Sequence, residues 1–330
     1  MALTLEEAKV GYADKVEQNV IDEFRRSSIL LDKLTFDDTI SPTGGSNLVY
    51  GYQRLETPST ASVRQINAEY SPNEAKRTKC TASPVILGGS FQIDRVIAQT
   101  SGAINEMDFQ IKEKTKAGAN YFHNLVINGT SAASGTGYVP NTFDGLKKIL
   151  SGKSTEMTTN IDISTSALLD SNYNALLDEL DTFIALLAAK PDVLMMNSKM
   201  LTKVKSAARR AGYYDRNKDD FGRTVETYNG IILMDAGQYY NGSTTEDVVS
   251  TSTPGSDAYG TTDIYAAKLG LDAFHGISVD GSKMLKTYLP DLQAPGAVKT
   301  GEVELIAGAV LKNSKMAGVL KGIKLLGKTA

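Results

Sequence analysis

The sequence predicts an α+β fold, and three observations lead to that prediction. A strand-like apolar segment at 84–94 precedes one amphipathic helix of about 25 residues, which ends near Asn128. Residues 164–235 alternate between amphipathic-helix patterns and short buried strands. From residue 263 onward the chain is strand-like again, and no fixed repeat is present, which disfavours a solenoid or a propeller.

The composition is that of a folded protein with a nearly neutral surface. Of the 330 residues, 41% are hydrophobic and 22% are charged, which excludes a disordered chain, and the length favours two lobes. The net charge of -3 gives no basic surface of the kind that nucleic-acid-binding proteins carry. No window of about 18 residues is continuously apolar, so we expect no membrane span and no membrane partner.

Two smaller features concern the compartment and the available chemistry. The residues from Met1 to Glu7 are acidic and amphipathic, unlike a signal peptide, so folding in a cytoplasm is expected. Cys80 is the only cysteine, which excludes an intrachain disulfide and a thiolate zinc site. Nothing near it in sequence favours the thiolate, so we interpret it as a small structural side chain.

Residues 4–26 have the pattern of an amphipathic helix that begins with a capping box formed by Thr4 and Glu7. The apolar stripe consists of Leu5, Ala8, Tyr12, Val16, Val20 and Phe24. Two interpretations stay open: the helix packs on its own domain, or it is an arm that packs on a neighbouring subunit.

Residues 40–83 predict a ribbon of strands and turns. The pattern is strand-like at 48–55, alternating at 63–70, and polar but extended at 76–81, with Pro-containing turns between these segments. The segments hold too few large apolar residues to build a core, and an isolated ribbon is marginally stable in water. We therefore expect this region to lie against another copy of the protein.

The long helix predicted at 102–128 has a narrow apolar stripe and charged residues on its other faces. We therefore expect it to be a long supporting helix rather than a helix of the hydrophobic core. At 1.5 Å per residue it is about 38 Å long. The residues of the stripe are Ile104, Met107, Ile111, Gly118, Phe122 and Leu125.

Residues 164–235 predict a compact α/β lobe. A helix ends before Lys190-Pro191, a buried strand follows, Ser198 is expected to cap a second helix, and a second buried strand comes at 230–235. Residues 239–262, rich in Gly, Ser and Thr, predict an exposed loop. The lysine-rich segment 305–330 contains several glycines and predicts a solvated, partly strand-forming terminus.

Two motifs suggest chemistry but lack a residue that the chemistry requires. Gly152-Lys153-Ser154 resembles the close of a phosphate loop, but Lys147 stands where the first glycine is needed. The charged segment 215–226 imitates a calcium loop, but Asp220 replaces the turn glycine. A solvated charged loop is the better interpretation of that segment.

The two histidines give no catalytic or metal-binding pattern. Neither His123 nor His275 has a Glu or Cys at ligand spacing, and no Gly-x-Ser-x-Gly elbow is present. Both are therefore interpreted as structural. A carboxylate pair brought together by folding stays an open alternative, although nothing in the sequence marks one.

The order of elements resembles the Hong Kong-97-type fold of tailed-phage major capsid proteins. The segment 191–200 is similar to the family's strand, Asn-Ser pair and helix, and 222–235 is similar to the segment that follows. The resemblance implies five parts: an N-terminal arm at 1–35, an extended loop at 36–83, a peripheral-domain strand and spine helix at 84–150, an axial domain at 151–262, and a return to the peripheral domain and C-terminus at 263–330.

The function that the resemblance implies is self-assembly into the icosahedral head that encloses the DNA genome of a tailed bacteriophage. The implied location is the virion, after assembly in the cytoplasm of a bacterial host. No enzymatic activity, cofactor or metal is implied. The implied partners are other copies in hexamers and pentamers, a separate scaffolding protein because no long helical extension precedes the arm, a portal, and double-stranded DNA bound without sequence specificity.

The candidate subunit contacts lie on the arm, the ribbon and the charged loop at 215–223. Two other functions remain in competition: an encapsulin-like compartment with the same fold, and an α+β enzyme with an unmarked carboxylate site. The contact candidates are Phe24, Arg54, Arg64, Ile66, Tyr70, Lys76, Arg77, Lys79, Asp215, Asp219 and Arg223.

Overall fold

The computed structural model describes residues 29–38, 49–100, 106–212, 215–218, 224–256, 258–279 and 285–328. The helices are α1 (Ile29–Lys33), α2 (Arg95–Thr100), α3 (Glu106–Asn128), α4 (Leu146–Leu150), α5 (Ser166–Ala185) and α6 (Ser198–Arg210). The strands are β1 (Phe36–Asp38), β2 (Tyr50–Thr57), β3 (Lys76–Ala82), β4 (Val85–Asp94), β5 (Glu156–Thr158), β6 (Val193–Met196), β7 (Asp215–Lys218), β8 (Thr224–Tyr228), β9 (Ile231–Asp235), β10 (Gln238–Tyr240), β11 (Thr245–Asp247), β12 (Gly260–Ala267), β13 (Phe274–Ser278), β14 (Leu285–Tyr288), β15 (Val298–Leu311) and β16 (Ala317–Leu326).

A five-stranded sheet is organised around β15, which is long enough to pair with three other strands. One edge of β15 pairs antiparallel with β4, and its other edge pairs antiparallel with β14 and then with β13. Strand β1 adds to β13 in parallel. In its first half, β15 alternates between exposed and buried side chains, as expected for a strand with one covered face. The spine helix α3 packs against β4 and β15.

A seven-stranded mixed sheet forms the other half of the fold, in the order β5-β16-β12-β6-β9-β8-β7. Along β6, successive residues point to opposite faces. Leu194 and Met196 belong to a core with α5 and α6, whereas Val193 and Met195 belong to a core that includes the end of α3. Both faces of this sheet are therefore covered, which explains the short, fully apolar strands seen in the sequence.

The end of the spine helix is enclosed on every side. Its residues from Phe122 to Ile127 are all buried, whereas Met107 and Ile111 nearer its start are only half-buried. Gly145 comes close to the last helical turn: a Cβ there would lie 2.7 Å from the carbonyl oxygens of Leu125 and Ile127. The long helix is therefore anchored at its C-terminal end rather than along one continuous apolar stripe.

The start of the spine segment differs from the prediction. Residues 95–100, left unassigned between the predicted strand and the predicted spine helix, form the short helix α2, and the Asp94 carboxylate accepts a hydrogen bond from the Val96 amide at 2.8 Å. This side-chain bond begins a helix directly after a strand. The described part of α3 starts at Glu106, and both Ile104 and the predicted arm helix at 4–26 lie outside the described residues.

The cap of α6 is Asn197 rather than the predicted Ser198. The Asn197 side-chain oxygen accepts a hydrogen bond from the Met200 amide at 2.8 Å. Its side-chain nitrogen donates to the Val249 carbonyl and to the hydroxyls of Thr251 and Thr262, at 3.1, 3.0 and 2.8 Å. One buried asparagine therefore both starts the helix and ties a distant segment to it.

The prediction of an exposed loop at 239–262 is wrong in part. Strands β10 and β11 pair as a hairpin, and the residues after them, Val248 and Val249, are 1% and 3% exposed. Asn128 also donates its side-chain N–H to the Val248 carbonyl at 2.8 Å. The segment is therefore held by side-chain amides from α3 and Asn197, a long-range interaction that local composition does not reveal.

The prediction of a solvated, partly strand-forming terminus at 305–330 is confirmed for the strands, since β15 and β16 lie there, and is wrong for the solvation. Strand β16 lies between β5 and β12, and Val319, Leu320 and Ile323 are fully buried. Gly318 allows the strand to pack closely, since a Cβ there would lie 2.9 Å from the Phe183 ring. Strands β12 and β16 join the seven-stranded sheet, so the segment 263–330 contributes to both large sheets.

Candidate assembly surface

The ribbon formed by β2 and β3 is the most exposed part of the described chain. The two strands pair antiparallel from Tyr50 opposite Ala82 to Thr57 opposite Lys76, which confirms strands near 48–55 and 76–81. Every residue from Leu55 to Lys79 is exposed. The outer part of the ribbon therefore has almost no packing within its own chain.

The tip of the ribbon carries apolar side chains that are exposed to solvent in the single chain. Val63 is 99% exposed, Ile66 is 92% exposed and Tyr70 is 59% exposed. The alternating strand predicted at 63–70 does not form; the segment contains a turn at Ile66 and Asn67, and Asn67 has a φ of 67°. None of the described strands pairs with this segment, and an alternating pattern without a partner strand is not stable as a strand.

Two of the three arginine candidates on the ribbon already have partners within the chain. Arg54 donates from its guanidinium to the carbonyls of Leu311 and Lys312 at 2.6 and 3.0 Å, which holds the root of the ribbon near the end of β15. Arg64 donates to the Ala68 carbonyl at 3.2 Å and lies 5.6 Å from the centre of the Tyr70 ring. Arg54 thus positions the ribbon, and Arg64 shapes its tip.

The remaining candidates divide between the ribbon and the charged loop. Lys76, Arg77 and Lys79 are exposed on β3 and give that strand a basic surface. Asp215 lies on β7, where its backbone pairs with Thr227 in β8. Phe24, Asp219 and Arg223, and the side chain of Asp215, lie outside the described residues.

The structure adds one surface that the sequence did not indicate, which is the open face of the five-stranded sheet. Ile86 on β4 is 68% exposed, and Tyr288 on β14 is 50% exposed. Glu302 on β15 is exposed between them and pairs with both Ser90 and Tyr288. The alternation of β15 contains this information, but only once its neighbouring strands are known.

In the two motifs rejected from sequence, groups that would have bound a ligand make contacts within the chain. Within the Gly-Lys-Ser segment, the Gly152 amide donates to the Glu156 carboxylate, which leaves that amide unavailable to a phosphate. In the calcium-like segment, β7 and β8 form a hairpin, and the Glu226 carboxylate makes an ion pair with Lys205. Both segments therefore have structural contacts in place of the proposed ligands.

The histidines are buried inside the fold. Burial lowers the pKa of His123 to about 4 and also lowers the pKa of His275 below its usual range, so both imidazoles are neutral at pH 7. Among the residues that the structure describes, no group of three or more His, Cys, Asp or Glu side chains could hold a metal ion. Over the same residues, no helix combines the length and apolarity needed to cross a membrane.

Comparison with known proteins identifies the fold. Residues 76–232, just under half of the chain, match the family model of the SU10 major capsid protein. The whole chain superimposes on the holo-SrpI encapsulin of Synechococcus elongatus PCC 7942 with a TM-score of 0.62 and 12% identity, covering 100% of this chain and 99% of that one. The chain has the Hong Kong-97-type capsid fold.

Phage structures are similar to this Hong Kong-97-type chain over nearly the same length. The capsid of Myoviridae phage XM1 gives a TM-score of 0.56 at 12% identity, covering 95% of this chain and 97% of that one. A chain from Mycobacterium phage Bobi gives 0.58 at 10% identity, covering 97% and 99%. No curated protein sequence matches the chain. The predicted α+β class and capsid fold are confirmed, and at these identities the structural likeness concerns the fold.

Proposed function

We infer that this chain is the major capsid protein of a tailed bacteriophage and that it assembles with copies of itself into an icosahedral shell. The match of residues 76–232 to a major capsid protein family supports this function. The observation that carries it is the ribbon, whose residues from Leu55 to Lys79 are exposed in the single chain. A ribbon with exposed Ile66 and Val63 gains stability when a second copy covers it.

The partner surface that we propose for the ribbon is the open sheet face of a neighbouring copy. The exposed strand β3 carries Lys76, Arg77 and Lys79, and the open face carries Glu302 and Glu304. Opposite charges on two surfaces set the register of association more than its strength. Ile86 and Tyr288 on the same face provide apolar area for the tip.

The finer features of this function are part of the same proposal. Copies are arranged in hexamers and pentamers, a separate scaffolding protein and a portal take part, and the shell encloses double-stranded DNA without sequence specificity. Assembly takes place in the cytoplasm of the bacterial host, and the virion is the final location. The net charge of -3 suits a container that holds DNA without binding it tightly.

The test compares Ile66→Asp with Ser59→Asp, two substitutions at exposed positions of the same ribbon. Each chain is expressed and examined by size-exclusion chromatography and electron microscopy. We expect shells from the unaltered chain and from Ser59→Asp, and folded but unassembled subunits from Ile66→Asp, because a charge at the tip opposes burial against a neighbour. A monodisperse monomer from the unaltered chain at high concentration contradicts the capsid function.

A second candidate is an encapsulin-like compartment, which the TM-score of 0.62 to the Synechococcus encapsulin favours. Shells alone do not separate the two functions. Particles purified from an infected or lysogenic host decide between them by content: packaged DNA supports the phage capsid, and a cargo enzyme without DNA supports the compartment.

A further inference from the structure

The root of the ribbon rests on a buried histidine. His275, on β13, has no exposed surface, and neither of its ring nitrogens makes a hydrogen bond of normal geometry with a described residue, although the Ala273 carbonyl lies near the ring. Tyr50, the first residue of β2, packs edge-to-face against the imidazole, with ring centres 5.7 Å apart and an interplanar angle of 70°. The side chain that begins the ribbon therefore touches a titratable group in the core.

Other contacts at the root connect the ribbon to the same sheet. The Tyr50 hydroxyl donates to the Asp37 carboxylate on β1 at 2.7 Å, and the Lys312 ammonium lies 5.6 Å from the centre of the Tyr50 ring. Arg54 donates to the Leu311 and Lys312 carbonyls. Since the ribbon is exposed from Leu55 outward, these few contacts at its base fix its direction.

The site suits a neutral imidazole and not a charged one. A protonated imidazole has two N–H donors, and leaving them unpaired in a buried site is costly. Burial, followed by the Lys312 ammonium, lowers the pKa of His275, while Asp37, the Ala273 carbonyl and Asp272 act in the opposite direction. Tyr50 stays neutral because burial and its bond to Asp37 raise its pKa.

We propose that His275 and Tyr50 form a pH-sensitive latch, which holds the ribbon against the five-stranded sheet and releases it when the imidazole takes a proton from solvent. In the released state the imidazole is hydrated and has its ordinary pKa of 6.5. The held state therefore keeps its full stability above that pH and loses stability as the pH falls below it, by up to about tenfold in the equilibrium per pH unit.

The latch gives the shell subunit two ribbon positions that solution conditions select. The held position is a property of one chain, because Tyr50, Asp37, His275 and Lys312 all belong to it. A failure of the latch therefore leaves the capsid function standing, and a failure to form shells leaves the latch to be tested on free subunits.

The test is hydrogen–deuterium exchange of the full chain at about pH 7.5 and about pH 5.5, corrected for the intrinsic effect of pH on exchange. Peptides covering 50–57 and 76–82 report the ribbon, and peptides covering 193–210 report strand β6 of the seven-stranded sheet together with helix α6 that packs on it. We expect ribbon protection to fall by up to about tenfold at the lower pH while the sheet peptides stay protected. Unchanged ribbon protection overturns the proposal.

The matched variant is His275→Phe, which keeps an aromatic ring against Tyr50 and takes no proton. Its ribbon protection should be the same at both pH values, and a fall equal to that of the unaltered chain overturns the latch. Should this variant lose protection at 193–210 and hence fail to fold, Lys312→Gln provides the decision. Removing that ammonium raises the pKa of His275 in the held state and brings it closer to 6.5, so the ribbon should lose less protection between about pH 7.5 and about pH 5.5, and a loss as large as that of the unaltered chain overturns the proposal.

Discussion

Replacing Phe122 by alanine tests whether the spine helix is anchored at its C-terminal end. The ring has no exposed surface, and its centre lies 6.1 Å from that of Phe36 and 5.9 Å from that of Phe143. Truncating a fully buried phenylalanine costs about 3–5 kcal/mol, because the lost transfer free energy and the remaining cavity add. The two lost ring contacts place the expected cost in the upper part of that range.

The matched control is Ile111→Ala on the same helix. Ile111 is half-buried, so we expect its truncation to cost about 1–2 kcal/mol, roughly half of what a buried isoleucine loses. Alanine is the strongest helix former, so a loss of helix propensity explains neither result. The difference between the two variants therefore reports how firmly each end of the helix is packed.

The assay is equilibrium unfolding in urea, followed by far-ultraviolet circular dichroism, for the unaltered chain and both variants. The transition midpoints are compared at equal slope, since a change in slope indicates a change in the unfolded ensemble. We expect Phe122→Ala to lower the midpoint at least twice as far as Ile111→Ala. Equal shifts would mean that the helix is anchored along its whole length, and the reasoning would then be wrong.

Two further predictions concern polar contacts. Asn197→Ala should lower the free energy of unfolding by about 2–4 kcal/mol, since the helix cap and the buried bonds to Thr251 and Thr262 are lost together. The control is Asn241→Ala in an exposed turn. An equal loss of stability in the control would contradict the role assigned to Asn197. Lys321 and the Gly152 amide lower the pKa of Glu156 below 4.5, so its contribution is present above that pH and lost as the pH falls further. Glu156→Gln should therefore be less stable than the unaltered chain at neutral pH and equally stable in acid. A difference between the urea midpoints of the two chains that is the same at both pH values would contradict this.

Local periodicity was sufficient for the elements whose burial is decided by their own sequence. The strand at 84–94, the helix ending at Asn128 and the apolar strand at 193–196 all carry the spacing of the structure they form. The segment 239–262 was misjudged because its order depends on the amides of Asn128 and Asn197, which lie far away in sequence. No local pattern contains such a contact.

The candidate surface was predictable to a similar extent. A shortage of large apolar residues marked the ribbon as exposed, and Ile66 and Tyr70 are indeed exposed in the single chain. The roles of Arg54 and of the open sheet face followed only from strand pairing, because β15 brings residues near 90, 288 and 302 side by side. Subunit contacts at these positions stay predictions.

The position of β16 has a consequence for how the chain acquires its structure. Strand β16 (Ala317–Leu326) lies between β5 at 156–158 and β12 at 260–267. The edges of β5 and β12 that pair with it therefore stay unpaired until β16, which follows both of them in the chain, has been synthesised. Until a ribosome has released β16, those edges and the apolar residues that face Leu320 and Ile323 stay uncovered. Pairings between such distant segments close slowly. Nascent subunits are therefore open to aggregation during the interval between the synthesis of β12 and that of β16.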